Sequence, residues 1–429
     1  MCCTPVRADT KGTGMTSNTP HPGMGFKEFV GLVAALMAVN AIAIDSMLPA
    51  LSQIGNALGV TDANERQWII TTYMLGFGGT QIIYGTLTDR FGRKPVLLWG
   101  LAGYTIFTLA IAASHSFGAL LAGRVLQGVA AASTRVVSVS VVRDCYSGRL
   151  MARVMSLALI VFIGVPVFAP STGQLILLFA PWQGIFLALG GFGFVVLLWV
   201  WLRLPETLHA EDRKPIAFDT VTQTFGFILS NRISMGYTMA STMIFGAMLG
   251  FINSAQQLFT DVFHAGRIFP IIFALIATFI AISSLLNARL VDKIGMRKLS
   301  HGALLAFIAI AGVHLVIAMS GQDTIWTFSI LQSAMMLCLG LMMGNFGAIA
   351  MEPLGHVAGS AASVQGFVST VGAALLGFLV GQSFNGTDVP LVLGFVILGL
   401  AALGVVLFAE GGRLFQPHNE VVEAAYDHF

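Results

Sequence analysis

The chain has 429 residues, of which 56% are hydrophobic and 10% are charged, and its mean hydropathy is +0.83. Soluble domains carry about 25% charged residues, so this composition excludes a water-soluble globular fold and predicts an all-α integral membrane protein. The formal net charge of +2 is too small to indicate a nucleic-acid partner.

The predicted elements begin with residues 1–26, which are rich in Gly, Pro, Thr and Ser and lack the apolar core of a signal peptide. A helix needs about 20 apolar residues to cross a bilayer, and twelve such segments follow. The fifth is expected to kink because it contains Pro166 and Pro170. The twelve predicted spans are 29–51, 67–87, 95–114, 118–142, 150–178, 184–203, 233–258, 268–289, 299–320, 324–351, 357–382 and 388–408.

These segments divide the chain into five predicted regions. They are a disordered cytoplasmic tail (1–26), an N-terminal six-helix bundle (27–204), a cytoplasmic linker (205–232), a C-terminal six-helix bundle (233–410) and a second cytoplasmic tail (411–429). The linker is too short to fold alone, so it is expected to tether the two bundles.

Lys and Arg are enriched in the cytoplasmic loops of membrane proteins. The chain has 22 Lys and Arg residues. Arg66 and Arg267 fall in loops on one predicted side of the membrane, and Arg124 and Arg135 fall within the fourth span. All the others lie on the opposite side. This asymmetry places both termini in the cytoplasm, requires an even number of spans, and fits the inner membrane of a bacterium.

A short internal repeat supports two related halves. Leu87–Gly92 (LTDRFG) recurs 203 residues later as Leu290–Gly295 (LVDKIG). Adding the same offset to residue 29, the start of the first span, gives residue 232, one residue before the start of the seventh. Two halves in the same orientation imply a pseudo-two-fold axis along the membrane normal. Transporters built in this way bind their substrate near the bilayer midplane.

The first copy of the repeat carries a family resemblance. Gly85–Pro95 (GTLTDRFGRKP) resembles the signature loop of the major facilitator superfamily, which implies that Asp89 and its basic neighbours brace helices in the outward-facing state. The signature-loop residues of the two copies are Gly85, Asp89, Arg90, Gly92, Arg93, Lys94, Asp292 and Gly295.

Two further segments resemble motifs of the same superfamily. Arg124–Gly128 (RVLQG) resembles its fourth-helix motif, which is linked there to proton coupling. Gly164–Gln174 resembles its fifth-helix antiporter motif, although Ala169 and Gln174 each stand where a glycine is usual.

The resemblance narrows at Asp45–Leu51 and Arg143–Gly148, which look like the bicyclomycin and chloramphenicol resistance branch of proton-driven drug efflux pumps. Members of that branch often carry an arginine at the position of Val139. Here Arg135 stands four residues earlier, about one helical turn away on the same face.

Asp45 is the one acid predicted to lie well inside a span, where a charge costs about 2.5–3.5 kcal/mol on translocon scales. Arg124 is expected at a similar depth on the fourth span. Two interpretations stay open: Asp45 is the proton-coupling acid with Arg124 tuning it, or the two form a permanent structural ion pair.

Several uncharged polar side chains and one arginine are candidates for a substrate cavity, with helix–helix hydrogen bonding as the alternative role. The nine histidines show no metal-ligand spacing, and the four cysteines form no CxxC pair. No metal and no cofactor are therefore expected. The cavity candidates are Gln127, Arg135, Asn253, Gln257, Asn345 and Gln365.

These features predict a proton-coupled exporter of small amphipathic compounds or drugs that works by alternating access. Its expected partners are a small-molecule substrate, protons and membrane lipid, and it is expected to be a monomer. The alternatives are a transporter of one specific metabolite in either direction and a non-transporting receptor. An enzyme is disfavoured because the sequence has no HExxH, GxSxG or P-loop motif and no paired intramembrane acids.

Overall fold

The computed structural model describes residues 24–416 except 147, 210, 212 and 214–217. Nearly all of the predicted N-terminal tail and most of the C-terminal tail therefore lie outside the described residues. The described chain is helical and contains no β-strand.

Seven helices precede residue 204 and seven follow it. The first set is α1 (Phe26–Asp45), α2 (Leu51–Ala57), α3 (Trp68–Phe91), α4 (Arg93–Ala112), α5 (Phe117–Cys145), α6 (Gly148–Phe179) and α7 (Gln183–Arg203). The second set is α8 (Phe218–Ser230), α9 (Arg232–Gln257), α10 (Phe269–Ile294), α11 (Met296–Met319), α12 (Ile325–Met351), α13 (Ala358–Gln382) and α14 (Val389–Ala409).

Within the described residues, ten helical segments are long and apolar enough to cross a membrane. In addition, α3 has 24 residues and α6 has 32, which exceeds the length that a bilayer requires. The helix α6 is continuous through Pro166 and Pro170. The helix α8 lies where the sequence predicted a linker without structure of its own.

The first predicted span, 29–51, is broken rather than continuous. Its α-helix ends at Asp45, a turn covers Ser46 and Met47, and a 3-10 turn (Leu48–Ala50) leads into α2. Pro49 accounts for the break, because proline has no N–H to donate and disfavours the helical conformation of the preceding residue.

The chain divides into two compact units, and it passes between them before α2, within α3 and within α8. Unit 1 comprises the described residues of 1–50 and 76–219, and unit 2 those of 51–75 and 220–429. In unit 1, α1 packs on α5, α6 and α7, and α4 packs on α5 and α7. In unit 2, α9 packs on α12, α13 and α14, and α11 packs on α12 and α14. The same pattern of packing therefore appears twice, as the internal repeat predicts.

Glycines allow several of these helices to approach closely. A Cβ added to Gly100 on α4 would overlap Ser133 Oγ on α5, and one added to Gly340 on α12 would overlap Ser283 Oγ on α10. Small residues at such contacts are typical of helices packed within membranes.

Candidate functional site

Asp45, the acid predicted to couple protons, is the last residue of α1, and only 5% of its surface is exposed. The backbone leaves the α-helical path directly after it, inside the membrane-spanning segment Phe26–Ala57. Within the described chain, no salt bridge joins Asp45 to a basic side chain. Unit 1 thus holds a buried acid at a helix break.

Arg124 on α5 is fully buried and lies beside α1 at nearly the same depth as Asp45. Its Nη1 donates hydrogen bonds to the Ala43 carbonyl at 3.3 Å and to Gln127 Oε1 at 2.6 Å. Gln127 Nε2 donates in turn to Thr108 Oγ1 on α4 at 2.7 Å. The guanidinium therefore contacts the backbone two residues before Asp45 without forming an ion pair with the Asp45 carboxylate.

Arg135 occupies the middle of α5, and its side chain is exposed. Val139 and Arg143 follow it at intervals of four residues and are also exposed, so the three share one face of the helix. Arg135 therefore lies on the same face of α5 as Val139, one turn away along the helix.

The antiporter-like segment of α6 contacts the break in α1. A Cβ added to Gly173 would overlap the backbone carbonyl oxygen of Ser46, the residue after Asp45. Gly173 therefore permits a contact between helix backbones that no larger residue would allow. On the same helix, a Cβ added to Gly164 would meet nothing within 4 Å.

The signature loop turns at Gly92, between α3 and α4. Gly92 has φ of 101°, and an added Cβ would overlap Glu206 Oε2, so both its conformation and its surroundings require glycine. Glu206 accepts hydrogen bonds from the backbone N–H groups of Arg93 at 2.8 Å and Lys94 at 3.2 Å. Its carboxylate thus neutralises the positive end of the α4 dipole.

Arg93 is the centre of a charge network in unit 1. Its guanidinium forms salt bridges with Asp89 at 2.5 Å and with Asp144 at 2.9 Å. Asp144 also accepts a hydrogen bond from Thr207 Oγ1 at 3.2 Å. The network joins the signature loop to the end of α5 and to the segment after α7.

The other predicted members of the loop lie outside this network. Gly85 is inside α3 rather than at the turn, and Arg90 is exposed. Lys94 Nζ donates a hydrogen bond to the Trp201 carbonyl at 2.8 Å.

Unit 2 has a counterpart to the Arg93 network at the junction of α10 and α11. Gly295 forms the turn with φ of 86°. Arg297 then forms salt bridges with Glu352 at 2.9 Å and with Glu410 at 2.9 Å. Asp292, the repeat partner of Asp89, is exposed and forms no salt bridge among the described residues.

The unit 2 network also includes the phenol of Tyr237 and the imidazole of His301. Tyr237 donates its hydroxyl proton to Glu410 Oε1 at 2.6 Å, and its oxygen lies 2.7 Å from His301 Nε2. The N–H of Phe415 donates to His301 Nδ1. That contact assigns the imidazole proton to Nε2, which donates to Tyr237.

Gln257, predicted to line the substrate cavity, is buried in a cluster of amides within unit 2. Its Oε1 accepts a hydrogen bond from Gln67 Nε2 at 2.7 Å, and its Nε2 donates to Asn64 Oδ1 at 2.8 Å. Gln67 also donates to the Gly381 carbonyl at 3.0 Å. Both ends of the Gln257 amide are satisfied within the protein, which favours a packing role.

The remaining cavity candidates of unit 2 differ among themselves. Asn345 donates to Asn287 Oδ1 at 2.6 Å and to the Leu341 carbonyl at 2.7 Å. Asn253 is buried, and its Oδ1 has no hydrogen-bond partner in the described structure. Gln365 is half-buried. Of the three, Asn253 alone presents a buried polar atom without a partner.

Sequence reasoning did not single out Arg297 or Glu410. Their pairing joins the start of α11 to the end of α14, across 113 positions. The repeat contained an approximate signal, because Arg297 lies 204 residues after Arg93 and Glu410 lies 204 residues after Glu206, one position beyond the repeat offset of 203.

Comparisons with known sequences agree with this architecture. A family model for the Major Facilitator Superfamily matches residues 33–377. A Bacillus subtilis protein named "Uncharacterized MFS-type transporter YdgK" is 30% identical over 88% of this chain and 93% of that protein. The "Bicyclomycin resistance protein homolog" of Haemophilus influenzae is 26% identical over 85% and 91%. The "Multidrug resistance protein MdtL" of Escherichia coli is 28% identical over 90% and 97%.

Solved structures share the fold at low sequence identity. The partially occluded inward-open xylose transporter XylE of Escherichia coli superposes with a TM-score of 0.69 at 11% identity, over 89% of this chain and 98% of that one. The human organic anion transporter MFSD10 gives a TM-score of 0.64 at 17% identity, over 90% and 99%.

Proposed function

Because the chain belongs to the Major Facilitator Superfamily, we propose that it is a proton-coupled secondary transporter that exports small amphipathic compounds by alternating access. Family membership makes it a membrane transporter and not an enzyme. The coupling ion, the direction of transport and the substrate class are the content of the proposal.

The burial of Asp45 without a basic partner is the observation that carries the proposal. An ionised carboxylate in a membrane interior costs several kcal/mol unless it is paired, and no salt bridge among the described residues offsets that cost here. Asp45 would therefore hold a proton when its surroundings are closed to water and release it when water or a cationic substrate arrives.

The surroundings of Asp45 support a site that changes state. The carboxylate lies at a helix break, where the backbone leaves the α-helical path after the Ser46 N–H bonds to the Ile42 carbonyl, and Gly173 packs against Ser46. Arg124 is fixed by Gln127 and the Ala43 carbonyl. In the proposed cycle it approaches or leaves the carboxylate as α1 adjusts at its break, and this movement tunes proton release.

The proposed substrate class rests on the names of relatives. Two of them are called a multidrug resistance protein and a bicyclomycin resistance protein homolog. Arg135 on the exposed face of α5 offers a polar contact for a dipolar or anionic group. A single metabolite as the substrate is the competing outcome.

The same proposal includes the topology and location. The repeated packing pattern of α1 and α4 in unit 1, and of α9 and α11 in unit 2, supports two six-helix bundles and therefore twelve spans. The distribution of Lys and Arg supports cytoplasmic termini. We place the protein, as a monomer, in a bacterial inner membrane.

An efflux assay with a matched pair of variants tests the proposal. Bacteria that lack their own drug pumps would express the native protein, D45N or D261N, and would be loaded with the fluorescent cation ethidium. Asp261 is an exposed acid on the turn after α9, so D261N repeats the chemical change at a site outside the proposed mechanism.

The expected result is that the native protein and D261N lower ethidium retention, that a protonophore abolishes this effect, and that D45N does not lower retention. Protonophore-sensitive efflux by D45N would remove Asp45 from the mechanism. Unchanged retention with the native protein, for ethidium and for several unrelated antibiotics, would favour a narrow-substrate transporter.

A further inference from the structure

Unit 2 holds a second buried cluster of titratable groups, formed by His314, Asp323 and Asp388. His314 lies on the last turns of α11, Asp323 on the loop before α12, and Asp388 directly before α14. His314 Nε2 lies 2.8 Å from Asp323 Oδ2. One ligand atom from each of the three residues lies within 4.8 Å of the others.

The three side chains are shielded from solvent. His314 is fully buried, 4% of the Asp323 side chain is exposed, and 6% of Asp388 is exposed. The ring of Phe328 packs against the imidazole with centroids 5.3 Å apart. Neighbouring elements therefore hold the cluster in place, in contrast to a group of acids on a surface.

The cluster places two carboxylates beside a single imidazole, and Asp323 and Asp388 lie close enough to hydrogen-bond to each other. Within the described chain, neither carboxylate forms a salt bridge with Arg or Lys. Three polar atoms of the cluster are buried without a donor–acceptor partner among the described residues. They are His314 Nδ1, Asp323 Oδ1 and Asp388 Oδ2. Buried charges are normally paired or bound to a metal.

We propose that His314, Asp323 and Asp388 bind a divalent metal ion of borderline hardness, of the class of Zn²⁺ or Co²⁺. One imidazole nitrogen and two carboxylate oxygens are a ligand set that such ions accept, with a water molecule in the fourth position. Ca²⁺ prefers six to eight oxygen ligands, so this set does not suit it. The ion would neutralise both carboxylates.

The His314–Asp323 pair lies close to the spacing that a metal requires, while the three ligand atoms together span up to 4.8 Å. Two ligand atoms of a tetrahedral Zn²⁺ site are about 3.3 Å apart, whereas His314 Nε2 and Asp323 Oδ2 are 2.8 Å apart. His314 would bind the ion through Nε2 as the neutral tautomer with its proton on Nδ1, any proton on Nε2 would be released to water, and Nε2 and Asp323 Oδ2 would separate slightly to admit the ion. Bound metal would then tie the end of α11 to the starts of α12 and α14.

Sequence spacing could not reveal this site. Asp388 lies 74 positions after His314, so the three residues have no local motif, and the expectation of no metal site rested on local spacing alone.

Metal titration of the purified full-length protein tests the proposal. After treatment with a chelator, the native protein in detergent is titrated with Co²⁺, whose visible absorption reports tetrahedral nitrogen and oxygen ligands, and then with Zn²⁺ in competition. The variants are H314Q and D388N. The control is H115Q, which removes an exposed histidine of unit 1.

The expected result is one saturable site per chain in the native protein and in H115Q, with affinity lowered about tenfold or more in H314Q and in D388N. Native protein without stoichiometric binding would overturn the proposal whether or not the variants fold, and would leave a proton as the occupant. Equal binding by H314Q, D388N and the native protein would also overturn it.

The metal measurement is independent of transport. D45N lies in unit 1 and is expected to bind the metal as the native protein does. The transport proposal and the metal proposal can therefore fail separately.

Discussion

The α3–α4 junction of unit 1 and the α10–α11 junction of unit 2 share a backbone plan and differ in their chemistry. Each turns at a glycine with positive φ, Gly92 or Gly295, and each is followed by a buried arginine, Arg93 or Arg297. In unit 1 one partner of the arginine, Asp89, has a side chain that is 46% exposed. In unit 2 the partner Glu410 has a side chain that is only 3% exposed.

Each network also has a second partner, Asp144 at 16% exposure in unit 1 and Glu352 at 37% in unit 2, so the contrast concerns the most buried pair of each unit, which is more deeply buried in unit 2. An exposed ion pair contributes about 0–1 kcal/mol and exchanges easily with solvent. Removing one partner of a buried pair costs about 3–5 kcal/mol, because the other charge stays buried. We infer that the unit 1 network is suited to rearrange during a transport cycle, and that the unit 2 network holds its unit together.

The largest expected effect comes from breaking the buried network. E410Q removes the charge that pairs with Arg297 and accepts from Tyr237, and we expect it to cost about 3 kcal/mol of unfolding free energy. Tryptophan fluorescence during thermal unfolding in detergent would show a lowered midpoint. E352Q is the control, because the Glu352 side chain is 37% exposed and its loss should cost about 1 kcal/mol or less. Equal midpoints for E410Q and the native protein would contradict the comparison.

A second, smaller effect is expected where α6 meets the break in α1. G173A places a methyl group against the Ser46 carbonyl, and overpacking of this kind costs about 1–3 kcal/mol. Because the displaced segment carries Asp45, ethidium efflux should fall as well. G164A on the same helix meets open space and should leave both stability and efflux unchanged. Native-like efflux by G173A would show that the Gly173 contact is not needed for transport.

The smallest expected effect on stability comes from replacing Asp89 or Asp292, the two aspartates at matching positions of the repeat. D89N should change the unfolding free energy by about 1 kcal/mol or less while slowing ethidium efflux, because it weakens the network around Arg93. D292N should change neither, since Asp292 is exposed and forms no salt bridge in the described structure. Slower efflux by D292N than by D89N would reverse the assignment of roles to the two units.

Much of the fold followed from sequence because its causes are local or periodic. Runs of apolar residues gave the membrane-crossing helices, and the repeat of Leu87–Gly92 at Leu290–Gly295 gave the paired helix packing. The break after Asp45 did not follow, although Pro49 is a local signal for it, because the apolar run continues across the break.

The site was predicted less completely than the fold. The burial of Asp45 and the approach of Arg124 to α1 could be expected from depth along two helices. The hydrogen bonds of Gln257 to Gln67 and Asn64 could not, because they join segments 190 or more positions apart. For Arg297 with Glu410 the repeat indicated approximate positions but not the pairing itself. Such contacts depend on how helices pack, which residue spacing does not encode.

The most direct test of the central claim is proton release from the purified protein on binding of a cationic substrate. Native protein in weakly buffered detergent solution would be mixed with ethidium, and a pH indicator would record released protons. If Asp45 carries the exchanged proton, the native protein and D261N release protons on addition of ethidium, and D45N releases none. Proton release by D45N equal to that of the native protein would contradict the account.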